Sequence, residues 1–304
     1  MKPRYSLITP HYNESFRLTR LLNSLSNRTD IQVLVIDDCS PDQAGLNEVK
    51  RQFPEVEFLS TPENQGAGAA RNIGLQLAKG EYVLFADADD EFHLDAFEIF
   101  DQATINTADI YYFRADAVIE STGQPSVRAD SLNNLVANYL ANPSKENELS
   151  LRLKHCVPWA KLYRRSFIER TRVQYDEIPV SNDIYFNIIN GVLAKQIVAS
   201  DHVVYRCYRL TDSLTSTLTA DRLLCRLQAS AKVATELKGL GIKHDRSASG
   251  FIVQSLFFGL PTFFKAVRIA VKSDLHLSLA RIINISRWLS FFKRKNTTQS
   301  EINQ

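Results

Sequence analysis

Three carboxylates lie within four residues at the end of an apolar run, in Phe85-Ala86-Asp87-Ala88-Asp89-Asp90. Like charges this close repel one another and cost stability unless a cation or hydrogen-bond donors compensate them. Alternate carboxylates at a strand end suit a hard divalent cation that also holds phosphate oxygens of a substrate. The alternative is an acidic helix N-terminus, where negative charge is favourable, but capping accounts for one acid rather than three. The triplet therefore predicts a divalent metal site.

A second acidic pair, Asp37-Asp38, precedes Cys39-Ser40-Pro41-Asp42. Ser40 or Asp42 is suited to cap the next helix, because both residue types are favoured at that position. Two adjacent acids at the end of a buried strand also suggest nucleobase binding, because a carboxylate there could accept a hydrogen bond from a nucleobase N–H. The alternative is a solvated turn.

The third feature is the glycine-rich run Asn64-Gln65-Gly66-Ala67-Gly68-Ala69-Ala70-Arg71-Asn72-Ile73-Gly74. Small residues at a helix start allow close backbone approach to a ligand, and Arg71, one turn into that helix, could pair with a base or a phosphate. The run lacks the spacing of the dinucleotide fingerprint and of the P-loop, so neither type of nucleotide binding is supported.

Alternating secondary structure would position these side chains. Short β-rich runs alternate with helix-length segments whose apolar residues recur every three or four positions; the runs are 5–9, 32–36, 56–59, 82–86 and 110–113. This alternation predicts an α/β fold with a mainly parallel central sheet flanked by helices. Such sheets bind ligands beyond the carboxyl ends of their strands, where the acidic residues collect.

The pattern changes twice further along the chain. From about residue 116 it loosens, with helices predicted near 133–140 and 182–194 and strands near 196–199 and 203–208. From 222 onward it predicts only helices, at 223–240, at 249–271 with an interruption at Pro261, and at 276–292. We therefore divide the chain into segments 1–115, 116–221 and 222–295, followed by a disordered tail at 296–304.

Composition excludes several classes of protein. Of 304 residues, 44% are hydrophobic and 23% charged, which is incompatible with a disordered or collagenous chain. The formal net charge of +2 gives no reason to expect nucleic acid, although the segment from Arg222 to Lys295 carries +11 and the remainder −9. The four cysteines match neither a zinc site nor a disulfide scaffold, and the N-terminus lacks the features of a secretory signal, so we expect a cytoplasmic protein.

Four segments, taken in order, resemble the family 2 glycosyltransferases of the bacterial surface-polysaccharide type, which have the GT-A fold. They are SLITPHYNE, VLVIDDCSPD, ENQGAGAARNIGLQLAKGEYVLFADADD and WAKLYRRSFIERTRVQYDEIPVSNDIYFN. The likeness is close over residues 5–115 and looser over 155–215, and an ordered set is far more specific than any single motif. It implies that 1–115 is the nucleotide-sugar-binding half of a GT-A domain and 116–221 the acceptor-binding half.

The resemblance also implies donor-side roles for individual residues. Asp38 would hold the uracil and Arg71 would help to seat it. Asp87 and Asp89 would be the DxD motif, with Asp89 the principal ligand of Mn²⁺ or Mg²⁺ and Asp87 organising the donor ribose or the groups around the metal. The residues that would border the nucleotide are Pro10, Tyr12 and Glu14.

On the acceptor side, Asp183 matches the family's catalytic base, while Asn182 departs from the family pattern, which usually has an acid at this position. Trp159 and Lys161 fit the acceptor-side pattern, although a Trp buried in a core is an equally good interpretation. Asp183 could also cap the helix that follows it. Outside these roles, His11 and Cys39 stand where a small hydroxyl residue and a glycine are common, and we expect these two departures to reshape the nucleotide pocket.

These roles imply an inverting transfer of a hexose or N-acetylhexosamine from a UDP-sugar to a hydroxyl of a growing, lipid-linked bacterial glycan. One base and a metal-stabilised diphosphate suffice for a single displacement, so no protein nucleophile is expected. The alternative is a catalytically silent, membrane-associated subunit that only binds a nucleotide sugar or assists assembly.

The C-terminal segment combines aromatic and aliphatic residues with basic clusters. Lys265, Arg268 and Lys272 follow one apolar run, and Lys293-Arg294-Lys295 follow another that contains Trp288. This pattern predicts helices lying in the interface of an anionic inner membrane, on its cytoplasmic face. The alternative is that the helices pack on the acceptor-binding half or on a second subunit.

Overall fold

The computed structural model describes residues 2–25, 28–209 and 218–277. Its first unit spans Met1–Thr217 and its second Leu218–Gln304. The second unit begins four residues before the predicted boundary at 222, so the first unit takes in the predicted segment 1–115 and all but the last four residues of 116–221.

One mixed sheet forms the centre of the first unit. The described residues contribute eight strands in the order β3-β2-β1-β4-β7-β6-β8-β5. In chain order they are β1 (Tyr5–His11), β2 (Ile31–Asp37), β3 (Glu57–Ser60), β4 (Tyr82–Phe85), β5 (Glu91–Phe92), β6 (Ile110–Ile119), β7 (Lys161–Arg164) and β8 (Ile197–Arg209). Strands β3, β2, β1 and β4 are parallel, as are β6 and β8, whereas β7 lies antiparallel between β4 and β6. The predicted α/β class is confirmed, with antiparallel β7 and β5 added to the parallel sheet.

Helices cover both faces of this sheet. They are α1 (Ser15–Asn23), α2 (Gln43–Gln52), α3 (Ala67–Leu77), α4 (Ala96–Ala103), α5 (Asp130–Ala141), α6 (Lys145–Lys154), α7 (Arg165–Thr171) and α8 (Ile184–Leu193). Successive side chains of a strand point to opposite faces, so Leu7 packs in the cluster that includes Leu18 of α1, and Ile8 in the cluster that includes Ala70 of α3. Burial on both faces explains why apolar residues occur on both faces of the central strands.

Several short elements were not predicted from the sequence. β7 begins with a lysine and ends with an arginine, and α6 is polar along most of its length, so neither shows a clear apolar period. The runs predicted as two strands near 196–199 and 203–208 form the single strand β8, which continues past irregularities in its register with β6.

The second unit is helical in its described part. It contains α9 (Ala220–Gly239), α10 (Ser249–Leu256) and α11 (Leu260–Val271), which share a small buried cluster that includes Leu227, Ala234 and Ala266. Pro261 lies in the first turn of α11, where proline costs no hydrogen bond, and this accounts for the predicted interruption.

The remaining predictions for the second unit fall largely outside the described residues. This applies to the predicted helix 276–292 beyond its first two residues, to Trp288 and Lys293-Arg294-Lys295, and to the tail at 296–304. Within the described ranges, every helix is too short or too polar to cross a bilayer.

Candidate active site

The carboxyl ends of β1, β2 and β3 lie side by side. The Asp38 N–H donates to the carbonyl of His11 at 2.8 Å, and the Thr61 N–H donates to the carbonyl of Asp37 at 2.9 Å. The loops that follow these strands are thereby fixed at one edge of the sheet, where parallel sheets place their binding sites.

The acidic triplet forms one cluster after β4. Asp87, Asp89 and Asp90 each offer a carboxylate oxygen, and these oxygens lie within 4.8 Å of one another. Burial, and then the charge of Asp87, raise the pKa of Asp89 to about 6. Burial, and then the charges of Asp89 and Asp87, also raise the pKa of Asp90 well above its usual value. A cation would relieve this repulsion, so the cluster fits a divalent metal.

Two further observations favour the metal site over helix capping. Helix α4 begins only at Ala96, after β5, so the triplet lies outside its first turn. One oxygen of Asp90 accepts from the N–H of Tyr208 at 2.8 Å, while the other, Oδ2, is buried with no partner in the described part of the chain. A buried oxygen of this kind is a suitable metal ligand.

Neighbouring elements hold the triplet in place. The hydroxyl of Tyr205 on β8 accepts from the N–H of Asp87 at 2.9 Å, and Arg20 on α1 donates to the carbonyl of Asp89. Arg20 and Arg17 are in turn paired with Glu120 at the end of β6.

Arg71 joins the triplet to the predicted acceptor side. Its guanidinium donates to Oδ1 of Asp87 at 2.6 Å and to Oδ1 of Asn182 at 3.1 Å, and it lies 5.3 Å from the ring centre of Tyr175. The glycine run brings α3 this close, because a Cβ on Gly68 would lie 2.0 Å from the carbonyl oxygen of Asp176. We expected the small residues of this run to approach a ligand, but Gly68 instead packs closely against the backbone of Asp176.

Asp183 follows Asn182 and directly precedes α8. It occupies the N-cap position, but its side chain makes no capping hydrogen bond. Burial raises the pKa of the carboxyl, the charge of Arg71 opposes this, and the charge of Asp87 adds to it. A carboxylate with a raised pKa that is free of capping bonds is available to accept a proton.

Both carboxylate oxygens of Asp38 accept hydrogen bonds from the loop before α3. Its Oδ1 accepts from the N–H of Gln65 at 2.8 Å, and its Oδ2 accepts from the N–H of Gly66 at 2.7 Å. The carboxylate therefore fixes the glycine-rich loop, and it contacts partners different from those of Arg71. The expected contact of Asp38 with a uracil stays a prediction.

His11 is part of a buried hydrogen-bond group that the sequence did not reveal. Its Nε2 accepts from the Glu14 N–H at 3.2 Å, so Nδ1 carries the proton that it shares with Asp37 at 2.9 Å. Burial would raise the pKa of Asp37, but hydrogen bonds from Ser40 and His11 outweigh it and lower that pKa. The group anchors the loop that contains Tyr12 and Glu14, the residues expected near the nucleotide together with Pro10.

Ser40 and Asp42 illustrate two kinds of turn residue. The Ser40 hydroxyl bonds to Asp37, whereas Asp42 caps α2 by accepting from the N–H of Gly45 at 3.0 Å. Of the two caps considered, the structure thus selects Asp42. Cys39 has a left-handed φ of 61°, the region where glycine is favoured.

Trp159 and Lys161 are both buried in the core. Trp159 is 2% exposed and stacks on Tyr205 with ring centres 5.6 Å apart, which matches the core interpretation of this residue. Lys161 is 1% exposed and donates to the carbonyl of His155 at 2.6 Å and to Oδ1 of Asn187 at 2.9 Å. Neither side chain is open to an acceptor in this structure.

Arg128 is a further charged residue near the triplet, and no sequence motif pointed to it. It lies between β6 and α5. Burial lowers its pKa, but the charges of Asp90, Asp87 and Asp89 among others outweigh this effect and raise it. A single basic residue in a loop carries no recognisable signal, so only the structure identifies this neighbour.

Comparison with known proteins identifies related sequences and structures. The family model for glycosyl transferase family 2 matches residues 6–172. The putative glycosyltransferase EpsH of Bacillus subtilis is 28% identical over 206 residues, which cover 64% of this chain and 58% of that protein. The poly(ribitol-phosphate) beta-N-acetylglucosaminyltransferase TarP of Staphylococcus aureus is 26% identical over 179 residues, covering 57% of this chain and 52% of TarP.

The chain thus spans a little more than half the length of these two relatives. Among solved structures, S. aureus TarS 1-349 in complex with UDP-GlcNAc has a TM-score of 0.59 at 21% identity, covering 89% of this chain and 82% of that one. This likeness confirms the predicted fold class. Since the family model covers more than half of the sequence, the chain belongs to glycosyl transferase family 2.

Proposed function

We propose that this protein is an inverting glycosyltransferase that moves a hexose or N-acetylhexosamine from a UDP-sugar to a hydroxyl of a bacterial glycan. The observation that carries this proposal is the position of Arg71, which bonds to both Asp87 and Asn182. It brings an acidic cluster suited to a metal and a carboxylate suited to act as a base into one site. Relatives that are beta-N-acetylglucosaminyltransferases support an N-acetylhexosamine donor.

At the donor end, Pro10, Tyr12 and Glu14 border the nucleotide. Asp38, which also fixes the glycine-rich loop, accepts a hydrogen bond from the uracil. Asp89, with Asp87 and Asp90, would hold Mn²⁺ or Mg²⁺. When bound, this cation neutralises charge on the diphosphate leaving group. A Pyrobaculum calidifontis mannosyltransferase of the same fold, with a TM-score of 0.53, was solved with GDP-Man and Mn²⁺.

At the acceptor end, Asp183 accepts the proton of the attacking hydroxyl. The hydroxyl oxygen forms a bond to the anomeric carbon while the bond from that carbon to the diphosphate oxygen breaks, and the electron pair leaves with UDP. Attack opposite the leaving group inverts the anomeric centre in one displacement. Since burial raises the pKa of Asp183, this residue is a better proton acceptor than an exposed carboxylate.

The test is UDP release by the purified full-length protein from a panel of UDP-sugars, with Mn²⁺, with Mg²⁺ and with EDTA. Poly(ribitol-phosphate) and a bacterial membrane lipid extract serve as the two acceptors. We expect metal-dependent release with at least one combination. Donor binding without release under any combination would instead support the catalytically silent subunit.

Nucleotide choice is tested separately by calorimetry with UDP and GDP. A pocket that hydrogen-bonds one base leaves its own polar groups unpaired with another, so UDP should bind more tightly. Equal affinity for both nucleotides would contradict the proposed role of Asp38.

We further propose that the second unit contacts an anionic inner membrane on its cytoplasmic face, where a lipid-linked glycan acceptor would lie. The apolar side chains of Leu260, Phe264 and Val271 on α11 are 64%, 64% and 73% exposed. The same helix and the residue that follows it carry Lys265, Arg268 and Lys272. Apolar side chains bordered by cations complement a surface of anionic lipids, and holding enzyme and acceptor in one plane raises their effective concentration.

A further inference from the structure

A buried hydrogen-bond chain connects Lys161 on β7 to Asp183 at the start of α8. The Lys161 ammonium and the Tyr163 hydroxyl both donate to Oδ1 of Asn187, at 2.9 Å and 2.7 Å. The Asn187 Nδ2 then donates to the carbonyl of Asp183 at 2.7 Å. Because Oδ1 accepts from two sides, the amide of Asn187 can present only its NH₂ group to Asp183.

The same carbonyl also accepts the N–H of Asn187, at 3.1 Å, as the first hydrogen bond of α8. Asn187 therefore holds the main chain of Asp183 through both its backbone and its side chain. Its side-chain contact ties the helix start to the central sheet, because Lys161 and Tyr163 lie on β7. Rigid elements of this kind can hold a carboxylate within the narrow limits that proton transfer requires.

Lysine is an unfavourable residue type at the buried position 161. Lys161 is 1% exposed, and both acceptors of its ammonium are neutral oxygens. Burial lowers the pKa of Lys161 to about 7, which shows that the site disfavours the charged form. An apolar side chain of similar volume would avoid this cost. A residue type that is energetically unfavourable at its position, beside a functional group, often has a role in function.

We propose that Lys161 is a positioning residue, which acts through the side chain of Asn187 to fix the main chain of Asp183. This inference deepens the proposed function and rests on it, since it assumes that Asp183 is the base. It replaces direct contact with the acceptor as the reason for a lysine at this position.

Kinetics of Lys161→Met, Tyr163→Phe and Asn187→Leu test the proposal, with UDP release normalised to the UDP-binding stoichiometry found by calorimetry. A displacement of about 1 Å can cost on the order of 10²-fold, so we expect Lys161→Met to lower kcat by about 10- to 100-fold. The donor KM and UDP affinity should stay unchanged. Tyr163→Phe is the milder matched variant, because it removes one donor to the same oxygen and should lower kcat less.

The double variant Lys161→Met/Asn187→Leu distinguishes positioning from general destabilisation. If Lys161 acts through Asn187, the double variant should be no slower than the slower single variant. Multiplied effects, or an unchanged kcat in Lys161→Met, would overturn the proposal. If Lys161→Met does not fold, an unchanged kcat in Asn187→Leu would overturn it as well, because Asn187 makes the contact to Asp183.

Crystal structures of wild type and Lys161→Met provide a readout that does not need activity. We expect the Asp183 carboxyl to shift relative to Arg71, by about 1 Å. An unmoved Asp183 would overturn the positioning role. Failure of the wild-type protein to release UDP from any donor would instead count against the proposed function, so the two failures are distinguishable.

Discussion

The guanidinium of Arg71 lies 2.6 Å from Oδ1 of Asp87, and the same group reaches Asn182, the neighbour of Asp183, at 3.1 Å. Arg71 is 5% exposed, so solvent screens this pair weakly. Under the proposed function, this contact would hold Asn182, and with it the neighbouring Asp183, at a fixed distance from the acidic triplet.

Arg71→Lys should retain the charge but lose the two-sided contact, because an ammonium cannot reproduce the planar fork of a guanidinium. We expect kcat for UDP release to fall by about 10- to 100-fold. Arg51→Lys on α2, whose side chain is 75% exposed, is the matched control and should leave kcat unchanged. Equal kinetics of the two variants would show that the bridge is dispensable.

Asp183→Asn should lower kcat by about 10²–10⁴-fold while UDP affinity stays close to wild type, since the change removes the proposed general base and leaves the proposed donor site untouched. Transfer kinetics and calorimetry measure the two effects. Asp95→Asn, at the exposed N-cap of α4 without a side-chain capping bond, is the control. Wild-type turnover in Asp183→Asn would assign the base elsewhere.

Asp89→Asn should abolish metal-dependent transfer and weaken Mn²⁺ binding, which paramagnetic resonance titration measures directly. In the wild type, EDTA should stop transfer and added Mn²⁺ or Mg²⁺ should restore it. Because the pKa of Asp89 is about 6 without a cation, protons should compete with Mn²⁺ and binding should weaken as the pH falls through about 6. Binding that is unchanged in Asp89→Asn would contradict the metal site.

His155→Phe should stabilise the protein. Both ring nitrogens of His155 are buried without a partner among the described residues, and the ring packs edge-on against Tyr112 with centres 5.3 Å apart. A phenyl ring keeps this contact and removes the unpaired nitrogens, so we expect a gain of about 1 kcal/mol in urea denaturation at pH 7.5.

The same variant carries a pH signature. Burial, and then the charge of Lys161, hold the pKa of His155 well below 6.5, so the unfolded chain takes up a proton below about pH 6.5 while the folded protein does not. Stability therefore falls as the pH drops through this range, and His155→Phe should lose that contribution. The difference in free energy of unfolding between His155→Phe and wild type should therefore be about 1 kcal/mol larger at pH 5.5 than at pH 7.5. His202→Phe, at an exposed position, is the control variant.

The paired change Leu260→Asp/Phe264→Asp should release the full-length protein from vesicles that contain phosphatidylglycerol, as measured by sedimentation. High salt should weaken wild-type binding, since each lysine or arginine near an anionic surface adds about 1 kcal/mol. Leu94→Asp, an equally apolar residue in the first unit at 89% exposure, is the control. Wild type that stays in the supernatant at low salt would contradict membrane contact, and loss of a dimer in the paired variant would assign the surface to a second copy.

The sequence was sufficient to predict the central strands and the acidic triplet, because both depend on local patterns. The run Tyr82–Phe85 is apolar throughout, and three acids directly after such a run have few explanations. It could not show that Asp38 binds the N–H groups of Gln65 and Gly66, since that contact depends on how two loops meet after folding.

The buried position of Lys161 could not be predicted from the sequence either. A lysine within a motif suggests a surface role, because lysine is rarely buried without a paired charge. Only the pairing of β7 with β4 and β6 places this residue inside the sheet, where its ammonium meets Asn187. Similarly, Arg128 has no neighbour in sequence that links it to the triplet.

The antiparallel insertion of β7 has a consequence for synthesis of the protein on the ribosome. Strands β1 to β4 are complete once Phe85 has emerged, but the free edge of β4 is covered only when Lys161–Arg164 have also left the exit tunnel. At roughly 5–20 residues per second, this interval lasts on the order of 4–16 s. During this time the nascent chain presents an unpaired apolar strand edge, the kind of surface that recruits other chains and chaperones. A ribosome stalled within this interval would therefore carry an aggregation-prone intermediate, whereas one stalled after Arg164 has emerged would carry a chain whose β4 edge is closed.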